Sequence, residues 1–249
     1  FKKVTLELGG KSPNIVFEDA DLDQAALGAV AGIFGAAGQT CMAGSRLLVQ
    51  NSIHDAFLEK VADVARTARI GDPSKMETQI GPIATRPQFE KILRMIEMAK
   101  AEGARCVLGG HALEGEGYGQ GQFVAPTILA DVTNDMRIAR EEVFGPVLSV
   151  IRFQDEEEAI RIANDTGFGL AAGVWTKDLR RSLSCVDRLR AGTVWVNNYR
   201  ATSFAMPFGG YKASGIGREG GVEAIKEYLQ TKSVWITTSP NRANPFVLG

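Results

Sequence analysis

Two hydrophobic periods alternate along this chain. Short apolar runs, as in residues 46–50 and 147–153, are typical of buried strands. Longer segments carry apolar side chains three and four residues apart, the spacing of one helix face, most clearly in residues 88–102. Because successive parallel strands need crossover helices, this alternation predicts the α/β class, as a three-layer αβα domain with a mainly parallel sheet.

The predicted elements follow one another in a regular order. Asp19, Asp21 and Asp155 are suited to cap helices, and Ser52 with Asp55 resembles a capping box. Strands are expected at residues 4–8, 46–50, 105–108, 123–129, 147–153, 170–175, 193–196 and 233–237, and helices at residues 22–33, 52–68, 88–102, 155–163, 179–189 and 222–228.

The composition is that of a folded protein without a strong charge. Hydrophobic residues make up 45% of the 249 residues and charged residues 23%, which excludes long disorder. With 28 Lys and Arg against 29 Asp and Glu, the net charge is −1, so nothing points to a nucleic acid or a membrane as partner. The three cysteines are an odd number at no metal-like spacing, so we expect neither a disulfide framework nor a bound metal, and we predict a cytoplasmic location.

Cys41 differs from the other two cysteines in its surroundings. It lies in the glycine-flanked segment GQTCMAG, residues 38–44, after a predicted helix and before a predicted strand. A thiol in such a loop can face a cleft, and its own amide N–H can point at a developing oxyanion. The alternative is a passive cysteine in a flexible loop. Cys106 in an apolar strand and Cys185 in a helix are expected to be small buried side chains.

A cysteine nucleophile usually needs a base, and the chain offers a carboxylate for it. His54 and His111 are expected at the surface and lack the neighbours of a Cys–His pair. Glu7 lies between two leucines, at the end of a strand and against the turn Gly9-Gly10. A carboxylate kept from water there suits a general base, whereas the alternative is a glutamate on the polar face of an edge strand.

Five blocks of sequence together resemble the NAD(P)-dependent aldehyde dehydrogenases. They are LELGGKSP at residues 6–13, GQTC at 38–41, EEVFGPV at 141–147, NN at 197–198 and PFGGYKASGIGRE at 207–219. Each block alone is weak evidence, but five in the family's order are specific. The resemblance extends from about residue 4 to about residue 237.

The resemblance implies a role for each matching residue. Cys41 is then the nucleophile that attacks an aldehyde carbonyl, and Glu7 activates the water that hydrolyses the resulting thioester. The family's contacts to NAD or NADP carry over to Glu142, Phe144, Gln88 and Lys91. For these four, the alternatives are a surface carboxylate, a core aromatic ring and a solvated helix face.

A small-molecule aldehyde is the substrate that the resemblance implies. Its pocket is expected from Thr40, Met42, Thr202 and Phe208, with Phe204 and Met206 nearby. Medium-sized apolar and hydroxyl side chains of this kind suggest an uncharged or aromatic aldehyde.

Residues 215–220 match the pattern G-x-G-x-x-G without its structural context. No strand is predicted directly before them, so a dinucleotide-binding turn is not expected. We expect their glycines to make turns, with Arg218 and Glu219 anchoring the loop. Asn197 and Asn198 are expected to hold loop backbone near the site.

The chain begins at Phe1 rather than at a methionine, and strand-like sequence already starts at Lys3, which suggests a piece of a longer protein. The resemblance divides it into a residual strand of a cofactor domain, a catalytic domain, a segment facing the cofactor domain, and a C-terminal strand and tail that joins subunits of a homo-oligomer: residues 1–8, 9–213, 214–230 and 231–249. Without the rest of the cofactor domain, the chain alone is not expected to work as a dehydrogenase. A cysteine-dependent esterase and an inert self-associating module are the alternatives.

Overall fold

The structure, a computed structural model, describes residues 2–115, 117–119, 121–238, 244 and 246. Within them the strands are β1 (Leu6–Glu7), β2 (Pro13–Val16), β3 (Arg46–Gln50), β4 (Arg105–Leu108), β5 (Ala112–Leu113), β6 (Phe123–Val124), β7 (Thr127–Ala130), β8 (Val147–Phe153), β9 (Phe168–Gly169), β10 (Ala171–Trp175), β11 (Thr193–Val196), β12 (Tyr211–Lys212) and β13 (Gly215–Ile216). The helices are α1 (Leu22–Phe34), α2 (His54–Arg66), α3 (Arg86–Ala101), α4 (Arg137–Arg140), α5 (Glu156–Asn164) and α6 (Leu179–Arg188). Short 3₁₀ segments span Gly35–Gly38, Asn51–Ile53 and Val222–Tyr228.

A seven-stranded sheet forms the centre of the molecule, in the order β11-β10-β2-β3-β8-β7-β4. Its strands are parallel except for β4, which pairs antiparallel with β7 at one edge. Helix α1 packs against α2, and α5 packs against α6. The predicted α/β class with a mainly parallel sheet is confirmed.

The central strands are buried along almost their whole length because both faces of the sheet are covered. Every residue of β2, β7 and β10 is buried, and in β8 only Arg152 is exposed. Three short antiparallel pairs lie outside this sheet: β1 with β13, β9 with β12, and β5 with β6. No helix in the described part of the chain is long and apolar enough to cross a bilayer.

Several element boundaries differ from the sequence-based expectation. Strand β2 was not predicted, because it is four residues long and begins with proline. The strand expected at residues 123–129 is divided by Pro126, which lacks a backbone N–H for a sheet hydrogen bond. The strand at residues 4–8 shortens to β1, and the helix at residues 222–228 is a 3₁₀ segment.

Only part of the predicted C-terminal strand and tail lies within the described residues. Residues 233–237 were expected to form a strand, but they carry no regular secondary structure and are exposed. Most of residues 239–249 in the predicted tail lie outside the described residues. Within the described part of the chain, residues 233–237 pair with no other strand.

The predicted helix caps at Asp21 and Asp155 are confirmed, and those at Asp19 and Ser52 are wrong, since Asp19 accepts from the Thr176 hydroxyl instead. The Asp21 side chain accepts from the Gln24 N–H, and that of Asp155 from the Glu158 N–H. The capping box at Ser52 does not form, because α2 begins at His54 and the Ser52 hydroxyl donates to Glu18 instead, at 2.6 Å.

The surface position predicted for His54 is also wrong. The ring is fully buried under the start of α2, with Nδ1 2.9 Å from the Asp55 carboxylate. Burial lowers the pKa of His54 below its usual value, so the ring is neutral at physiological pH. Because the sequence around His54 is polar, it gave no indication that this side chain points inward.

Arg46 is a fully buried cation at the start of β3. Its Nε donates to the Lys11 carbonyl at 2.9 Å, and its terminal nitrogens donate to Asn134 Oδ1 at 2.9 Å and to the carbonyls of Ile162 and Ala163 at 2.8 Å each. Burial lowers the pKa of Arg46 to about 10, which leaves the guanidinium charged at neutral pH. The side chain thus ties the entry of β2 and the end of α5 to the central strand.

Candidate active site

The loop that carries Cys41 leaves α1 through a left-handed turn. Ala36 and Ala37 have φ angles of 54° and 55°, and Gly38 follows at 70°. The left-handed φ of Gly38 favours glycine, and a side chain there would also overlap the Gly145 carbonyl. The turn directs the chain back across the end of the sheet.

Cys41 lies in a tight turn of residues 40–43, which we call the Cys41 turn. The turn is closed by the N–H of Ala43, which donates to the Thr40 carbonyl at 3.1 Å. The thiol is half-buried. The backbone of Cys41 packs against the segment that follows β1, since a side chain on Gly10 would overlap the Cys41 carbonyl oxygen.

Glu7 is held beside this turn by β13. The pair β1–β13 places Glu7 opposite Gly215, and the Leu8 N–H donates to the Ser214 carbonyl at 3.0 Å. The Ser214 hydroxyl donates to the Gly9 carbonyl at 2.7 Å, which fixes the glycine turn after β1. One oxygen of the half-buried Glu7 carboxylate, Oε1, is buried without a hydrogen-bond partner among the described residues.

Glu7 lies close enough to Cys41 to change the pKa of its thiol. Burial raises the pKa of the Cys41 thiol to about 12, and the adjacent Glu7 carboxylate contributes through a hydrogen bond and its negative charge. The backbone N–H groups of Met42 and of Cys41 itself lower that pKa. The resting sulfur therefore keeps its proton at neutral pH, with a carboxylate in place to remove it.

Glu142 lies on the glycine turn on the side facing away from β13. Its Oε1 accepts from the Gly10 N–H at 3.0 Å, and a side chain on Gly9 would overlap its Oε2. Burial raises the pKa of Glu142, against the lowering effect of the Gly10 N–H, Lys91 and Lys11. The pair Gly9-Gly10 thus permits two close approaches, one from Glu142 and one from the Cys41 backbone.

Gln88 and Lys91 reach the same segment from α3. Gln88 Nε2 donates to the carbonyls of Val143 and Phe144 at 2.6 and 3.0 Å, and Lys91 Nζ donates to the Glu142 carbonyl at 2.8 Å. The alternative of a solvated helix face is therefore wrong. Phe144 is half-buried in a left-handed conformation with φ of 54°, which the hydrogen bond from Gln88 helps to hold.

The predicted substrate residues come together in part. Met42, Thr202 and Phe208 line one open cavity of about 960 Å³, together with Phe204 and Met206. Thr40 does not line it, and its hydroxyl is buried without a partner among the described residues. Thr202 is exposed and Phe208 is half-buried.

The other cysteines and His111 are remote from this chemistry. Cys185 is fully buried, and desolvation raises the pKa of its thiol to about 12. Cys106 was expected to be buried but is half-buried, because the strand it lies in is at the sheet edge. His111 is exposed as expected, with Nδ1 3.1 Å from the Gly109 carbonyl.

Several residues of the site escaped the sequence-based reasoning. Gln39 joins the Cys41 loop to the segment before α3, because its side chain donates to the Pro82 carbonyl and accepts from the Ala84 N–H. Lys11 is fully buried with its Nζ unpaired among the described residues, and burial, with Arg46 nearby, lowers its pKa to about 7. A lysine directly after two glycines gave no sequence signal for burial.

The glycines of the G-x-G-x-x-G match have a structural purpose. Gly215 has a φ of 135°, and a side chain there would overlap the Leu6 carbonyl, so it is the close contact that lets β13 pair with β1. The expectation that no strand precedes it needs correction, since β12 does, but β12 pairs with β9 rather than leading into a phosphate-binding turn. Arg218 anchors the loop as expected, through the carbonyls of Gly210 and Gly217.

Gly215→Ala is expected to displace β1 and destabilise the chain by about 1–3 kcal/mol, since the new methyl group meets backbone rather than a flexible side chain. Urea unfolding measures the change. Gly167→Ala is the matched control, because a Cβ there meets nothing within 4 Å. Equal stability of the two variants would contradict the proposed role of Gly215.

Comparison with known proteins agrees with this architecture. The sequence profile described as the Aldehyde dehydrogenase family matches residues 1–234. A betaine aldehyde dehydrogenase of Brucella anthropi is 50% identical over 235 residues, which cover 94% of this chain and 48% of that protein. The chain thus spans about half the length of the curated relatives it matches.

Solved structures give the same picture. The crystal structure of a betaine aldehyde dehydrogenase from Staphylococcus aureus in complex with NAD+ has a TM-score of 0.95 at 42% identity, covering 98% of this chain and 49% of that one. The aldehyde dehydrogenase KauB from Pseudomonas aeruginosa has a TM-score of 0.92 at 49% identity, covering 94% and 47%.

Proposed function

This chain belongs to the aldehyde dehydrogenase family, and on that premise we propose that Cys41 and Glu7 oxidise an aldehyde to a carboxylic acid through a thioester, with NAD or NADP as the oxidant. The observation that carries the proposal is the Glu7 carboxylate against the Cys41 thiol, across a turn that only glycine fits. A solvated Glu7 on a polar strand face would not have this contact.

In the first step Glu7 takes the proton of the Cys41 thiol, and the sulfur attacks the aldehyde carbon. The carbonyl oxygen becomes the oxyanion of a thiohemiacetal. The backbone N–H groups of Cys41 and Met42 lie next to the sulfur, where they are suited to stabilise negative charge. The burial that raises the thiol pKa makes the thiolate, once formed, poorly solvated and reactive.

The cofactor site fits residues around the glycine turn. Glu142 would accept hydrogen bonds from ribose hydroxyls, and Phe144 would pack near the nicotinamide, while Gln88 and Lys91 hold the backbone of residues 142–144 that presents both. The carboxylate of Glu142 is half-buried and kept in place by the Gly10 N–H, as a positioned acceptor requires. A nicotinamide bound there would supply the acceptor for the hydride of the carbon attached to sulfur, and Cys41 would be left carrying the acyl group.

Once its first proton has passed to solvent, Glu7 is again a carboxylate and removes a proton from water, which attacks the thioester carbonyl and releases the acid and the Cys41 thiolate. The buried Oε1 of Glu7, unpaired among the described residues, is a ready acceptor for that water. One carboxylate thus serves two proton transfers in sequence, first from the thiol and then from water.

Glu7→Gln is expected to trap the acyl group on Cys41, because the thiol pKa falls when the Glu7 charge is removed and solvent can still take its proton, whereas the water that should hydrolyse the thioester is no longer activated. We expect turnover of a nitrophenyl ester to fall by about 10²–10⁴-fold. Mass spectrometry of the Cys41 peptide after brief exposure to the ester measures the acyl group directly. The exposed Glu77→Gln is the control, and an unacylated Cys41 in the Glu7→Gln protein with normal turnover would refute the proposal.

The ester assay needs no cofactor, so it separates the cysteine chemistry from the redox step. Formation of NADH or NADPH from an aldehyde tests the redox step itself. We propose that the 249-residue chain alone hydrolyses activated esters but does not sustain this formation, since it spans about half of its relatives. Steady NADH or NADPH production by the pure chain would overturn that part.

We further propose an uncharged or aromatic aldehyde as substrate. The cavity beside Met42 supports this, because it also exposes Phe204, Met206 and Phe208. The names of the relatives point to betaine aldehyde, so the ratio of kcat/KM for phenylacetaldehyde and betaine aldehyde in the complete enzyme decides between the two.

Self-association is proposed through the C-terminal segment, where Val234, Trp235 and Ile236 are exposed by 69%, 94% and 81%. Light scattering that shows a clean monomer would exclude it.

A further inference from the structure

Three glycines from separate elements form a slot for the ring of Tyr199. A Cβ at Gly32 in α1 would lie 3.0 Å from Tyr199 Cδ1, one at Gly44 would lie 2.9 Å from Cζ, and one at Gly173 in β10 would lie 2.5 Å from Cδ2. Trp195 packs against the ring, with 4.8 Å between the ring centroids. The ring is buried, and its position is determined from several sides.

The slot directs the Tyr199 hydroxyl to the Cys41 turn. The hydroxyl donates to the Met42 carbonyl at 2.9 Å, one residue after the nucleophile. Burial raises the pKa of the phenol above its usual value, so the group stays a hydrogen-bond donor throughout the neutral and alkaline range. On the opposite side of the turn, the Cys41 carbonyl packs on Gly10.

The turn is therefore held at two successive peptide groups. The Cys41 carbonyl is restricted in its movement by its contact with Gly10, and the Met42 carbonyl is held by the hydrogen bond from Tyr199. The Ala43 N–H belongs to the same peptide group as the Met42 carbonyl, and it closes the turn on Thr40 at 3.1 Å. Without the hydroxyl this peptide group could rotate, and the turn that aims the sulfur at Glu7 would lose its closing hydrogen bond.

We propose that Tyr199 is a positioning residue, whose hydroxyl fixes the Cys41 turn so that the sulfur stays against the Glu7 carboxylate. The inference rests on the proposed Cys41–Glu7 chemistry and adds the element that sets their geometry. The three glycines of the slot contribute to this positioning, because they leave room for the Tyr199 ring.

The test measures how far Glu7 shifts the pH midpoint of Cys41 alkylation, with and without the Tyr199 hydroxyl. Cys41 of the complete 249-residue chain is alkylated with iodoacetamide across a range of pH, and mass spectrometry follows the Cys41 peptide. Glu7→Gln is expected to lower the pH midpoint by about one unit, because Glu7 raises the thiol pKa by its charge and hydrogen bond. In the Tyr199→Phe background the same substitution is expected to shift the midpoint by less than about a third of a unit, since the pair is no longer aligned.

Two further variants test whether the reduced shift is specific to the Tyr199 hydroxyl and its position. Tyr228→Phe removes a phenol that is 85% exposed, and it should leave the full shift in place. Gly32→Ala keeps the Tyr199 hydroxyl but crowds its ring. Alanine favours a helix over glycine by about 1 kcal/mol, which opposes the cost of the crowded ring, and urea unfolding of this variant shows whether its fold is as stable as that of the unchanged chain. It also provides the test should Tyr199→Phe fail to fold.

The outcomes separate this inference from the one it rests on. A full shift in Tyr199→Phe, or in Gly32→Ala if only that variant folds, overturns the role of Tyr199 and leaves the Cys41–Glu7 pair intact. No shift on Glu7→Gln in the otherwise unchanged chain overturns the pair, and the positioning role with it. A shift that is present in the unchanged chain and reduced in both variants supports Tyr199 as the positioning residue.

Discussion

Serine at position 41 is expected to abolish the proposed chemistry, with ester hydrolysis and aldehyde oxidation lower by on the order of 10⁴-fold or more. A hydroxyl is far harder to deprotonate than a thiol, so the Glu7 carboxylate that suffices for Cys41 cannot activate it. Cys41 lies half-buried in a turn that is closed by backbone groups, so Cys41→Ser should leave the fold unchanged. Turnover of a nitrophenyl ester measures the rate, and circular dichroism confirms the fold.

The two remaining cysteines supply matched controls for this variant. Cys106→Ser changes a half-buried thiol at the sheet edge, and Cys185→Ala changes a fully buried one in α6. Both should keep nearly full activity, apart from a loss of stability of about 1 kcal/mol from the small cavity at position 185. More than a few per cent of residual activity in Cys41→Ser, or equal losses in all three variants, would contradict the assignment of the nucleophile.

Arg46→Met should lower the free energy of unfolding by about 3–5 kcal/mol. Methionine fills similar space, but it leaves the side-chain oxygen of Asn134 and the carbonyls of Lys11, Ile162 and Ala163 without the donor that now satisfies them. Each buried acceptor left unpaired costs about 1–3 kcal/mol before relaxation. Equilibrium unfolding in urea measures the loss.

Arg161→Met gives the comparison for the same chemical change at the surface. Its guanidinium is 66% exposed and pairs with Glu158 within one helix, so its removal should cost less than about 0.5 kcal/mol. A change of less than 1 kcal/mol in Arg46→Met would show that water or rearranged side chains replace the guanidinium without penalty.

Periodicity predicted the parts of the fold that are long and apolar. Strands β3, β4, β8 and β11 and helices α3, α5 and α6 lie where they were expected to within a few residues. What escaped prediction is short or decided by distant contacts. Strand β2 is recognisable only through its neighbours β3 and β10, since Asn14 in its middle is buried and accepts from the Trp175 indole N–H at 2.8 Å.

The sequence singled out the proposed reactive residues but not the residues that support them. Glycine flanks drew attention to Cys41, and a position between two leucines and against a glycine turn drew attention to Glu7. The resemblance identified Gln88 and Lys91, but no local pattern indicated that they would bind the backbone of residues 142–144. Tyr199 gave no signal either, because its slot is made of three glycines that lie far apart in the sequence.

The hydrogen bond from the Ser214 hydroxyl to the Gly9 carbonyl joins residues 205 positions apart along the chain. A ribosome releases the N-terminal end first, so β1 with Glu7 has no partner strand until β13 has been synthesised. Closing so long a loop carries an entropic penalty that only the assembled sheet can offset. During synthesis, the proposed pair of Cys41 and Glu7 therefore cannot take up its final geometry before residue 216 has left the ribosome.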